Sequence, residues 1–409
     1  MKDALLKLKD HPAMVKAFAY LEADRGRTME EQMAICAIRS PSNMETERAK
    51  DYFERFKALG FDEVKMDEVD NVIGIVKGTG EGPTLMVAAH TDTVFGPDVD
   101  CTPTVRDGVV YAPGIADDTR GMAELLTMAR ALKESGLKPK GDLIFCGNVG
   151  EEGLGDLRGI KHIFKTMGDQ IDGFLSVDGI GVGSLTFDGT GSYRYKVTFA
   201  GTGGHSFAAF GIPNCIHAFA RAGAKIADIE VPKVPRTTFN IGVVHGGTSV
   251  NSISAKIEVL IDMRSNGKEA LDELDAKVLA ALKAGCDEEN VRWNHPDEKV
   301  EVQIERVGTR PAGQQNHANP LPLACIASGE VCGLEARVSE GGSTDCNIPI
   351  SLDIPAAALG RGGMSKFSHS IKEQWDSADD YKGPQRTLLL SLGLVGVEGI
   401  IEPLLPTRD

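Results

Sequence analysis

Two histidines and six acidic residues stand where apolar runs give out. His90 and Asp92 follow TLMVAA, and Asp117 and Asp118 sit in GIADDTRGM ahead of a helical stretch. Glu151 and Glu152 follow LIFCGNVG, Asp178 follows FLSV, and His369 lies far downstream in GRGGMSKFSHS. Singly, each reads as a solvated loop residue or a helix cap. Gathered at the ends of successive buried strands, they make a set of nitrogen and oxygen donors without sulfur. Such a set suits zinc, manganese or cobalt.

The elements that must position them are readable from periodicity. HPAMVKAFAYLEAD, TMEEQMAICAIR and ETERAKDYFERFKALG carry helical apolar spacing, with Gly60 as a C-cap. VIGIVKG and TLMVAAHTD then read as strands, the second a continuous apolar run of the kind buried on both faces. A helix from Thr119 to Ser135, the strand DLIFCGNV, the helix DLRGIKHIFKTM and the strand GFLSVDG follow. Strand alternating with helix predicts an α/β fold with a mostly parallel sheet, whose ligands gather beyond the carboxyl ends of the strands.

The middle of the chain changes character. YRYKVTFAG alternates with period two, a helix is expected over 213–229, TFNIGVVHGG and AKIEVLIDMR read as strands, and a helix over 267–285 precedes the strand KVEVQIERVG. The order β-α-β-β-α-β predicts an inserted ferredoxin-like α+β domain at 191–307. Residues 1–190 and 308–409 then form the two segments of the domain around it. LLLSLGLVGV, at 388–397, reads as a C-terminal core helix, being half the length a membrane span needs.

Composition narrows the function classes. The 409 residues carry 44 Lys+Arg against 59 Asp+Glu, a net charge of −15, which argues against nucleic acid or an anionic membrane as partner. Eight scattered cysteines contain no C-x-x-C pair and read as buried reduced thiols. The start, MKDALLKLKDH, has no apolar signal-peptide core, so a cytoplasmic location is expected. A serine hydrolase lacks its G-x-S-x-G elbow, and a nucleotide enzyme lacks G-x-x-x-x-G-K-[ST].

The segments AAHTDTV, APGIADDTRGM, GNVGEEGLGDLRG, SVDGIG, GTGGHSF, GGTSVNSI and SHS stand in one order along nearly the whole chain. In this the sequence resembles the dinuclear zinc exopeptidase and deacylase family. That family includes peptidase T, carboxypeptidase G, acetylornithine deacetylase, succinyl-diaminopimelate desuccinylase and the aminoacylases. SVDGIGVG and the length lean toward the peptidase T side. The resemblance implies a catalytic α/β domain with an inserted dimerisation or lid domain. It implies two divalent ions per subunit, zinc foremost with manganese or cobalt as alternatives, and a homodimer.

Carried over residue by residue, it has His90 and Asp178 bind one metal and Glu152 and His369 the other, with Asp117 bridging. Glu151 is then the general base on the bridging water, and Asp92 orients the His90 imidazole. Asp117, Glu152 and Asp178 with a hydroxide balance two divalent ions, which a low-dielectric cleft favours. His205 in AGTGGHSF is implied to reach the neighbouring subunit's site and hold the oxyanion. Asn251 resembles a substrate-contacting asparagine, and Arg264 and Arg361 are candidates to grip a substrate carboxylate, Arg264 equally a structural ion pair. A cis peptide between Asp117 and Asp118 is also implied. The helix-opening motif departs from the family's Asp-x-Lys-Gly, its basic residue Arg120 standing one place away.

These readings predict a metallohydrolase cutting an amide bond of a small substrate, a di- or tripeptidase first. An N-acyl amino acid deacylase or carboxypeptidase, an amidohydrolase on a non-peptide C–N bond, and a non-catalytic binding protein on the same fold remain open.

Overall fold

The computed structural model describes residues 1–408. The chain divides into two compact units, one of Met1–Gly189 with the stretch from Gln314 onward, the other of Thr190–Gly313.

The first unit is built on an eight-stranded mixed sheet. Its centre is four strands, Leu143–Asn148, Leu85–His90, Gly173–Gly179 and Ala356–Gly360, paired parallel in that order. LMVAAH and LIFCGN are buried at every position. Strands this apolar need cover on both faces, and two separate cores supply it. One lies against the helices Thr119–Ser135 and Lys382–Val395 and packs Leu125, Leu126, Leu388 and Leu392. The other packs Ile160, Ile163 and Phe164 of the helix Arg158–Met167 against Ile144, Cys146 and Phe174.

His90 and Asn148 end their strands, Asp178 lies one residue from the end of its own, and Arg361 follows Gly360. The polar residues therefore collect at one edge, as a parallel sheet dictates. A small antiparallel sheet, Thr104–Arg106, Val109–Tyr111, Met364–Lys366 and Gln374–Asp376, joins the two long loops of that edge. Sequence reading did not find it, because its strands are three residues long. The helix Lys2–Lys9 was likewise missed, while Gly60 does end its helix, Thr46–Leu59, in the left-handed region.

The second unit is a four-stranded antiparallel sheet in the order Thr237–Gly246, Lys256–Ser265, Gly191–Ala200, Glu301–Arg310. With the helices Cys215–Ala227 and Lys268–Trp293 this is the ferredoxin-like arrangement. KIEVLIDMRS alternates buried and less buried along its length, so Ile257, Val259, Ile261 and Met263 all face the core. The second helix runs eight residues beyond the 285 expected, ending at Asn294 in the left-handed region. Gly285 does not break it. A Cβ there would lie 2.4 Å from the Ala222 amide nitrogen, so glycine is what allows the two helices to touch. The last strand passes residue 307 and continues to Arg310, with a register irregularity between Arg306 and Gly308.

Candidate metal centre

Asp117 occupies the middle of the strand-end cluster. Its Oδ1 lies 3.2 Å from His90 Nε2, and its Oδ2 lies 3.1 Å from His369 Nε2. Each imidazole also faces a second carboxylate, His90 Nε2 at 3.7 Å from Asp178 and His369 Nε2 at 3.0 Å from Glu152. Ligand atoms of His90, Asp117 and Asp178 converge within 4.8 Å of one another, as do those of Asp117, Glu152 and His369 and those of His90, Glu151 and Glu152.

Each member is held from behind. His90 is 1% exposed, and its Nδ1 sits 3.1 Å from the Asp92 carbonyl, which leaves Nε2 to face the cluster. The Asp92 carboxylate does a second job. It accepts the backbone N–H of Glu151 on one oxygen and that of Glu152 on the other, both at 2.9 Å, and the Ser42 hydroxyl at 2.7 Å. The turn that presents both glutamates is thereby tied to the loop after His90. Asp118 caps the helix it precedes by accepting from Gly121 N, and it also accepts from His90 N. The Asp117–Asp118 peptide is cis.

Glu373 was not singled out from sequence. It is 1% exposed, and its carboxylate accepts the backbone N–H groups of Gly114, Ala116 and Asp117 at 2.9, 3.0 and 3.1 Å. It stands four positions after His369, so one loop delivers a side chain to the cluster and clamps the backbone of Asp117. The sole sequence signal was an acidic residue close behind His369.

The electrostatics follow from the packing. Burial works to raise Asp117, but the Arg361 guanidinium and the two imidazoles hold its carboxyl well below the usual range. Burial works against a charged His90, and hydrogen bonds to Asp117, Asp178 and Asp92 overcome it and raise it well above an ordinary histidine. Hydrogen bonds to Asp117 and Glu152 push His369 up to about 10. Carboxylates thus crowd two imidazole nitrogens, and the surplus of negative charge favours positive charge among them. A hard or borderline cation fits this donor set of imidazole nitrogen and carboxylate oxygen.

His205 and Asn251 lie in the second unit, where Gly204–His205 pairs with Ser252–Ile253 and Ser206 N donates to Asn251 O at 2.9 Å. The His205 ring is exposed and accepts from the amides of Phe207 and Ala208. Arg264 Nε pairs with Asp262 at 2.8 Å, the ion-pair alternative. Arg361 does not present a free fork to a substrate. It is 4% exposed, and its Nη1 lies 2.9 Å from Asp117, 3.0 Å from Asp118 and 3.4 Å from Asp178. Arg120, the displaced basic residue of the helix-opening motif, turns away to donate to Asp380 O and lie over the Trp375 ring.

No helix among the described residues is long and apolar enough to cross a membrane. The model of peptidase family M20/M25/M40 matches residues 86–388. Succinyl-diaminopimelate desuccinylase of Alkalilimnicola ehrlichii is 27% identical over 388 residues, covering 88% of this chain and 99% of its own. Aminopeptidase PepT of Bacillus cereus shares the fold with a TM-score of 0.71 at 22% identity, over 90% of this chain and 98% of its own. So does the YXEP protein of Bacillus subtilis, described as a dinuclear metal binding peptidase, with a TM-score of 0.65 at 16% identity over 91% and 99% of the two chains. The family match spans the loops after all four central strands, and with it the chain belongs to peptidase family M20/M25/M40, a metal-dependent hydrolase of amide bonds.

Proposed function

We propose that this chain is a two-metal exopeptidase of short peptides with a free amino end. The observation that carries the reading is the division of Asp117 between two histidine-carboxylate groups, one oxygen to each. In this reading His90 and Asp178 hold one ion, Glu152 and His369 the other, and Asp117 both. Zinc is the first choice, with manganese or cobalt as alternatives. When bound, such a pair supplies Lewis-acid polarisation of the scissile carbonyl and of a water.

The chain's own residues supply the rest. Glu151 takes the attacking water's proton and passes it to the leaving nitrogen. Its place next to Glu152 is fixed by Asp92, whose two oxygens hold the two backbone N–H groups. We assign the second unit to dimerisation, with His205 donating a hydrogen bond to the oxyanion in the neighbouring subunit's site and Asn251 contacting substrate. Exposed apolar residues beside these two, Phe207 and Val250, support a surface that another chain covers. We place the enzyme in the cytoplasm, where its eight free cysteines stay reduced.

The desuccinylase likeness over almost the full length supports a second reading, hydrolysis of N-acyl amino acids. One panel separates the two. Free-amine tripeptides, N-acetyl and N-succinyl amino acids and aryl amides are each incubated with protein reconstituted with zinc, manganese or cobalt. Tripeptide cleavage with release of the first residue is the expected result. Turnover of the acylated substrates alone would replace the first reading with the second.

A further inference from the structure

The two halves of the cluster differ in their cationic neighbours. Arg361 touches only one of them. Asp117 Oδ1, which faces His90, is 2.9 Å from the Arg361 guanidinium, and Asp178 Oδ1, which also faces His90, is 3.4 Å from it. Glu152, on the other side, pairs with His369 and with no arginine or lysine among the described residues. The loop backbone that carries it is also anchored. The Arg361 amide donates to Gly179 O at 2.9 Å, the next residue's amide to Glu124, and the Trp375 indole donates to the Gly362 carbonyl at 3.0 Å. A permanent charge is therefore built in beside the same oxygens that would hold the His90-side ion.

We propose that Arg361 makes the two metal positions unequal. It is the resident counter-ion of the His90–Asp178 position, so that position fills second and more weakly, and the Glu152–His369 position fills first. The inference rests on the two-metal reading. Its physical basis is that a cation and a metal ion sharing the same carboxylate oxygens repel, and that a guanidinium at this burial keeps its charge. Arg361 in turn spares the buried Asp118 and the partly buried Asp117 and Asp178 from facing one another unpaired when that ion is absent. Asp117 and Asp178 do not depend on it for placement, since Glu373 clamps the backbone of the first and a central strand carries the second.

The test is a zinc titration of the metal-free full-length protein against a chromophoric chelator, with bound metal counted by mass spectrometry. Wild type should bind two ions with dissociation constants at least about tenfold apart. Asp178→Asn should lose the weaker ion and keep the tighter one, and His369→Ala the reverse. Arg361→Met removes the charge and keeps the stem, and the second constant should tighten about tenfold or more. Arg361→Lys keeps the charge and should leave the constants unequal, which holds the test open should the methionine variant not fold. Equal constants in wild type, loss of the tighter ion in Asp178→Asn, or a second constant unmoved in Arg361→Met would each overturn the inference. A wild-type chain that binds fewer than two ions would overturn the two-metal reading itself, and the inference with it.

Discussion

Glu373→Gln isolates what a single buried carboxylate contributes to the site. The native Oε1 accepts from Ala116 N and Asp117 N, and Oε2 accepts from Gly114 N. Glutamine retains one acceptor oxygen. Set where Oε1 is, it keeps two bonds in weaker, neutral form and turns its amide N–H groups toward the Gly114 N–H. Hydrogen bonds to a charged group contribute about 1.5–3 kcal/mol each, and a buried donor left unpaired costs about 1–3 kcal/mol. The unpaired Gly114 donor at about 1–3 kcal/mol and about 0.5 kcal/mol lost from each of the two weakened bonds come to about 2–4 kcal/mol. At roughly 2–4 °C per kcal/mol for a large domain, the melting temperature should fall by about 5–15 °C. Because the Asp117 amide is one of the three, retained metal should fall as well. The assay is differential scanning fluorimetry beside metal analysis of the same desalted protein. A melting temperature within about 1 °C of wild type, with full metal content, would refute the clamp argument.

Glu151→Gln should keep fold and metal while kcat drops by roughly 10²–10⁴, and Glu152→Gln should instead lose one ion; metal retained in the second and lost in the first would reverse the two roles. His205→Ala should lower kcat far more than it raises KM, and mixing it with Glu151→Gln under subunit exchange should restore activity through the one site that has both groups. No recovery above the parents, with exchange confirmed by mass, would remove His205 from the neighbour's site. Burial works to raise the Asp262 carboxyl, but hydrogen bonds from Arg264 and Arg194 overcome it and hold it below its ordinary value. Its folded pKa is the lower one, so its contribution is full above the unfolded value of ~4 and is lost as pH falls through the folded value. Urea midpoints of wild type and Asp262→Asn should therefore differ at neutral pH and converge in acid; a difference that grew on acidification would contradict the pairing.

How much of this was legible in the sequence depends on how local each constraint is. His90, Glu151, Glu152 and Asp178 were visible because buried parallel strands are continuous apolar runs, and their carboxyl ends point at one edge. Asp117 and Asp118 were visible because the helix they precede, Thr119–Ser135, has a clear periodic start and Gly136 as its C-cap. Contacts between distant positions left no such mark. Glu373 reaches a loop more than 250 residues earlier in the chain, and Asp92 reaches the turn at Glu151 and Glu152. Arg361 in a glycine-rich loop read as a grip for substrate, and only the folded chain surrounds it with three carboxylates. Gly285 carried the opposite hazard, since a residue that ordinarily ends helices is here a contact point between two of them.

Metal content per chain tests the central claim most directly. Protein reconstituted with zinc and desalted should carry two ions, and Asp117→Asn, which weakens the residue shared by both positions, should carry at most one. Wild type with one ion or none, or Asp117→Asn with both ions retained, would contradict the account.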